Sequence, residues 1–334
     1  MTCISRSLHA RRSFPRGAAL ICVATLLFGC APAERASNTP AGIGSAQSVI
    51  PQDSEGQESG GPTTSTDDSS TAESELQIPV YWLGEEAHRT ALFQELVTIP
   101  VAESTGDPIA DAVRAMTAAQ PLNRDRTSVW QPSAAVSASL APGNIITVDL
   151  SSEAFAPGIG ATDAADAVQQ LVHTASNVAK YAGLLKAEET SSVVILVDGK
   201  AGYRAFGTID LTGPISPDNA KLASVWLTEP HDRMRQTGEA VRIAGSASAG
   251  TPLFWKAERK GPASGQKPAA SEAVMSGSVT VSAEPGGRSG FDFSVDLPPG
   301  AYEITVFRKR AGTPQGGYVP SDSRTVRVGE QPSP

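Results

Sequence analysis

Between residues 54 and 75 the chain has one apolar side chain, Ala72. The run S-E-G-Q-E-S-G-G-P-T-T-S-T-D-D-S-S-T-A-E-S-E has almost nothing to bury and cannot recover the entropy that folding costs. The same Ser, Thr, Gly, Pro and acidic composition reaches back to Ala31. Residues 30–76 are therefore read as a disordered acidic tether, and all order is placed before or after it. As a random coil, such a stretch spans about 35–40 Å end to end.

Charge is partitioned along the chain in the same way. Residues 1–30 carry four arginines (Arg6, Arg11, Arg12 and Arg16) and no acid. Residues 31–76 sum to −7, residues 77–220 to −8 and residues 221–330 to +3, within a total of −8. Residues 17–29, G-A-A-L-I-C-V-A-T-L-L-F-G, are free of charge. Thirteen residues of helix reach only about 20 Å, short of a hydrocarbon core of about 30 Å. A basic start, a short apolar run and a small residue at Gly29 read as a signal peptide over residues 1–29. All three cysteines (Cys3, Cys22 and Cys30) fall in the first thirty residues, so no disulfide framework is available to the rest.

Leu27-Phe28-Gly29-Cys30 resembles the lipobox of bacterial lipoproteins. The resemblance implies a diacylglyceryl thioether on Cys30, cleavage before it and anchoring to the outer face of the cytoplasmic membrane. Arg11-Arg12-Ser13-Phe14 resembles a twin-arginine export motif, and the choice between that route and the general one stays open.

Order is expected from Ile78-Pro79-Val80-Tyr81-Trp82-Leu83, a strand ended by Gly84, with a second strand over Leu96–Val101 and Pro100 marking an edge. Asp107-Pro108 supplies an N-cap and a first-turn proline for a helix. Ala141-Pro142-Gly143-Asn144 turns a hairpin. Thr162-Asp163 is expected to cap a longer helix with an apolar stripe at Ala164, Val168, Leu171, Val172, Ala175, Val178 and Ala179. Val193–Val197 reads as a central strand, Asp198-Gly199 as a tight turn and Ala205–Leu211 as the last strand. This order predicts an α+β domain over residues 77–220, a mixed sheet with helices on one side. After Lys221 the period becomes two. Seven short strands are expected: Ser224–Thr228, Ala240–Ala244, Leu253–Glu258, Ser278–Ala283, Gly290–Leu297, Tyr302–Phe307 and Arg324–Val328. They predict a β-sandwich over residues 221–330.

Three segments carry a resemblance in the first domain: Val80-Tyr81-Trp82, Ile146–Ser151 with Phe155, and Val194–Gly199 followed by Asp210–Ile215. With Gln169–Thr174 they resemble the GerMN (sporulation and spore germination) domain of bacterial envelope proteins, over residues 78–219. Trp226–Pro230, Val241–Ala247 and Tyr302–Phe307 resemble the immunoglobulin-like domain that accompanies GerMN domains. The pair implies a part in cell-envelope or sporulation-type assembly, by contact with peptidoglycan or envelope proteins.

Catalytic spacings are missing. Of four histidines, none sits in H-x-x-x-H or H-E-x-x-H. No serine lies in G-x-S-x-G. Asp149 and Asp198, at strand ends, are read as turn formers, and His173 as a packing residue. The expectation is a non-enzymatic protein without cofactor or metal. Phe254-Trp255-Lys256 and Phe307-Arg308-Lys309-Arg310 place aromatics beside cations. Trp255, Lys256, Arg308, Lys309 and Arg310 are candidate contacts for an anionic envelope polymer, lipid headgroups or an acidic protein. Export and an acidic total disfavour nucleic acid. The rival classes are a cell-wall polymer-acting enzyme whose carboxylates carry no recognisable motif, and a solute-binding lipoprotein of a transporter.

Overall fold

The computed structural model describes residues 74–238, 240–249, 252–260, 273–281, 287–309 and 318–329. The signal segment, Cys30 and nearly all of the tether lie outside them.

The chain enters through a long antiparallel hairpin, β1 (Glu75–Glu86) and β2 (Arg89–Pro100). Ala87 and His88 form its two-residue turn, both with positive φ (50° and 67°), the twist that two-residue hairpin turns favour. Gly84 does not end β1; the strand runs on to Glu86. β2 is an edge, as Pro100 implied.

α1 (Pro108–Ala118) starts as expected: Asp107 accepts from the N–H groups of Ile109 and Ala110 at 2.9 and 3.1 Å. β3 (Arg126–Thr127) adds two residues to β1. β4 (Val136–Ala141) and β5 (Ile145–Leu150) form the expected hairpin, with Gly143 and Asn144 at positive φ. α2 (Ala161–Tyr181) starts at Gly160 rather than at Thr162-Asp163, and its expected stripe is buried throughout. Asp163 falls in the first turn, where the helix dipole favours an acid.

β6 (Ser192–Val197) runs parallel to β5 and is an edge rather than a central strand. Only alternate residues are buried, and isolated bridges from Val193 to Ile215 and from Val197 to Lys200 guard its outer side. The expected strand over Ala205–Leu211 is instead a short hairpin, β7 (Arg204–Ala205) and β8 (Ile209–Asp210). Phe206 (φ 51°) turns it and packs on Trp130 and Phe155, with centroids 5.0 and 5.3 Å away. Instead of one mixed sheet there are two of three strands, β2-β1-β3 and β4-β5-β6. They share one apolar core with both helices.

The C-terminal half contributes β9 (Val225–Glu229), β10 (Met234–Thr237), β11 (Ala240–Ser248), β12 (Leu253–Arg259), β13 (Ala273–Val279), β14 (Arg288–Asp296), β15 (Gly300–Lys309) and β16 (Tyr318–Gly329). β10 was not anticipated. Sheets of order β14-β11-β9 and β10-β16-β15-β12-β13 share a second core that includes Val241, Ile243, Ala257, Tyr302, Ile304 and Val326.

β1 links the two halves. Its run from Ile78 to Leu83 is buried at every position, so both faces are covered. Ile78, Val80 and Trp82 enter the core shared with the helices. Tyr81 and Leu83, with Leu92 and Phe93 from β2, pack against Ala223 and Trp226 of the second half. Ala223 also donates its N–H to Leu92 O at 2.9 Å, extending the first sheet toward β9.

Candidate functional site

Where the halves meet, charge is buried. Arg126 and Arg324 both reach Asp322 Oδ1 at 2.6 Å. The three side chains are 5%, 3% and 1% exposed. Asp322 Oδ2 accepts from Leu227 N–H at 2.8 Å, and Arg324 donates to Leu227 O at 2.8 Å. Arg324 also lies 3.8 Å from Glu95, whose oxygens accept from the N–H groups of Leu122 and Asn123 at 2.7 and 3.1 Å. Two cations and two carboxylates thus close a neutral, hydrogen-bonded set, the condition under which buried charge is tolerated. Burial pushes the Glu95 carboxyl above its usual range, against the pull of Arg324, the two backbone donors and Arg126. Burial also lowers Arg126, with Asp322 opposing.

The local sequence explains the placement. Arg126 lies across β1 with its guanidinium 3.4 Å from the centre of the Phe93 ring. It passes over Gly84, where a Cβ would sit 2.7 Å from Arg126 Nη1. That close approach is why a glycine stands inside the strand. On β16, Asp322 and Arg324 occupy the inward phase shared with Val326 and Val328. Charges on the buried phase of a strand were the one sequence signal of this network, and sequence reasoning missed it.

A second junction is aromatic. Arg288 stacks 3.4 Å over Trp226, Trp226 meets Tyr81 edge-on at 5.8 Å, and Tyr81 meets His173 at 5.5 Å. Burial pushes Tyr81 up to about 12, opposed by Arg288. Burial takes Arg288 down to about 10, opposed mainly by Tyr81. His173 lies against the Asp218 carbonyl, its Nε2 3.0 Å from that oxygen. Burial holds its imidazole below the ordinary value of 6.5; Arg288 adds to this, and the Asp218 carbonyl and carboxylate oppose it. Because the folded value is depressed, stability is full above about pH 6.5 and falls as the unfolded chain takes up the proton below it. Chemical denaturation at pH 7.5 and pH 5.5 should therefore show a loss attributable to His173, and the loss should shrink in His173→Gln.

Beside the charge network lies a cleft of about 1110 Å³. Its floor is the outer face of β12, β13 and β15; Glu85, Asn123, Asp125 and Arg126 form a wall. The strand register sets three rows across the floor. Ser278, Phe254 and Phe307 form one, Ser276, Lys256 and Thr305 the next, and Glu258 with Glu303 the third. Phe254 and Phe307 stack with centroids 5.9 Å apart. Like charges opposite one another destabilise a sheet. Here each carboxylate has its own lysine: Lys256 at 3.0 Å from Glu258, and Lys260 at 2.5 Å from Glu303.

Of the expected contact residues, Lys256 and Trp255 line this cleft. The Trp255 side chain belongs to the second core and packs on Phe293 at 5.5 Å. The Arg308 guanidinium donates to Ser248 O at the end of β11, in the opposing sheet, so it and Lys256 sit on opposite faces. Arg310 and the side chain of Lys309 lie outside the described residues. Asp149 and Asp198 act as turn residues: Asp149 accepts from Gly199 N–H at 3.0 Å, and Asp198 from Ser152 N–H at 3.2 Å. Among the described residues there is no group of three metal-ligating side chains and no helix long and apolar enough to cross a membrane.

Comparison with known proteins agrees with the resemblance in the first half. Residues 79–202 match the family model Germane, described as sporulation and spore germination. Among solved structures, the tandem GerMN domains of the sporulation protein GerM from Bacillus subtilis align at 17% identity and TM-score 0.33, over 47% of this chain and 50% of that one. The match thus spans half the length of the tandem protein. The first GerMN domain of the same protein aligns at 16% identity and TM-score 0.29, over 43% and 96%. A putative lipoprotein from Clostridium perfringens aligns at 14% and 0.25, over 42% and 87%. No curated protein matches. On the family-model match, residues 79–202 of the chain are similar to the sporulation and spore germination family.

Proposed function

We propose that this is a non-catalytic, lipid-anchored envelope protein that presents binding or scaffolding domains in envelope or sporulation-type assembly. The observation that carries the reading is the match of residues 79–202 to the sporulation and spore germination family. In this reading residues 1–29 are removed, Cys30 bears the lipid, residues 30–76 form the tether, and residues 77–220 and 221–330 are the GerMN and immunoglobulin-like domains. The second half supports its part by strand order. β14-β11-β9 against β13-β12-β15-β16 follows the E-B-A and C′-C-F-G arrangement of such sandwiches. Tyr302, near the start of β15, donates its hydroxyl to Pro298 O at 2.7 Å, as a tyrosine corner does.

Two or three acyl chains on one residue hold a protein to a bilayer far more firmly than one. Cys30→Ser is therefore expected to move the protein from the membrane to the soluble fraction and to abolish palmitate labelling. Unchanged partitioning and labelling would remove the anchor. The binding role is tested by incubating the chain with purified cell wall and with membrane extract. Retention by one of them supports it; retention by neither contradicts it. Release of soluble wall fragments in the same incubation would favour an enzyme, with Glu258 and Glu303, opposite one another on the cleft floor, as the carboxylates to substitute.

A further inference from the structure

We infer that the cleft between the two halves binds an uncharged, hydroxyl-rich glycan strand. This rests on the envelope-binding reading above and specifies the surface and ligand class. A wholly apolar ligand would strip water from the Lys256–Glu258 and Lys260–Glu303 pairs with nothing to replace it. A polyanion would meet five carboxylates (Glu85, Asp125, Glu258, Glu303 and Asp322), and the cations nearest to it, Lys256 and Arg126, are already held by Glu258 and Asp322. A polycation would meet Lys256 in the middle of the floor, and in the next row two carboxylates that already have ammonium partners.

A sugar chain answers each feature. Its apolar C–H faces suit the half-buried Phe254 ring, which stacks on the buried Phe307. Its hydroxyls both donate and accept, so they can share the paired carboxylates and ammonium groups without separating them. The hydroxyls of Ser276, Ser278 and Thr305 flank those pairs in register. Residues two apart along a strand repeat at about 7 Å, so the three rows lay an apolar, a mixed and an acidic band over about 14 Å. That length suits a few linked sugar rings rather than a single one.

The test is calorimetric titration of the mature chain, residues 30–334 in detergent, with a chitin-derived tetrasaccharide as an uncharged, N-acetylated probe. Poly-lysine and polyphosphate serve as charged comparisons. Binding of the tetrasaccharide is expected, weakened about tenfold by Phe254→Ala and several-fold by Ser276→Ala. Circular dichroism and the unfolding midpoint of each variant establish that it is folded. Ser276→Ala, on an exposed position, keeps the test valid even if Phe254→Ala perturbs the sheet. Failure to bind the tetrasaccharide, binding of only a charged polymer, or equal affinity in both variants would overturn the inference. Cell-wall retention that persists undiminished in Phe254→Ala would sink this cleft while leaving the envelope-binding role standing.

Discussion

Asp322→Ala should cost the protein about 3–5 kcal/mol of folding stability, the usual result of breaking a buried ion pair from one side. The substitution leaves Arg126 and Arg324 inside the protein with only Glu95 to balance them, the nearer of the two 3.8 Å from it. It also removes the acceptor of Leu227 N–H, and an unmet buried donor carries its own penalty of about 1–3 kcal/mol. Asp322→Asn keeps an oxygen for Leu227 and is expected to lose less. Urea unfolding of the two variants beside the parent reads the difference directly. A loss below about 1 kcal/mol for the alanine variant would mean that these charges behave like a surface pair.

Gly245→Val is expected to be worse, at more than about 3 kcal/mol, or to prevent folding. Overpacking of a core commonly costs about 1–3 kcal/mol because neighbouring side chains adjust. At Gly245 the obstacle is backbone: a Cβ would stand 2.1 Å from Trp226 O and 2.7 Å from the Phe291 ring. Trp226 cannot retreat cheaply, since it lies between Tyr81 and Arg288. The strain is therefore passed to the junction of the two halves. Gly238→Ala makes a useful contrast. Its φ of 107° makes any side chain costly, yet nothing lies within 4 Å of the new Cβ. Expression and unfolding midpoints of the pair separate steric collision from backbone strain. A Gly245→Val protein as stable as its parent would show that β9 and β11 do not pack at this distance.

Local signals carried much of the fold. Asp107 and Pro108 start α1 because capping depends only on neighbours a few residues away, and the stripe on α2 faces inward because its period leaves no other choice. The errors have a common cause in distant partners. Gly84 read as a strand end, because the guanidinium that needs the space arrives from Arg126. The run from Ile78 to Leu83 gave a strand, but its double-sided burial depends on Ala223 and Trp226. β6 looked central from its apolar run, although alternate residues are only half-buried. The network joining Arg126 to Asp322 spans 196 positions, and no local window relates them. The candidate contacts fared as short-range reasoning would suggest. Lys256 proved to face the cleft, while the neighbouring Trp255 turned into the core, as the alternation of a strand dictates.

The claim on which the rest depends is that the GerMN-type half and the all-β half work as one body, joined by buried charge at Asp322 and buried aromatics at Trp226. Differential scanning calorimetry of residues 74–334 tests it most directly. The account predicts a single transition whose calorimetric and van't Hoff enthalpies agree, as expected of one cooperative unit. Two separate transitions, one for each half, would contradict it.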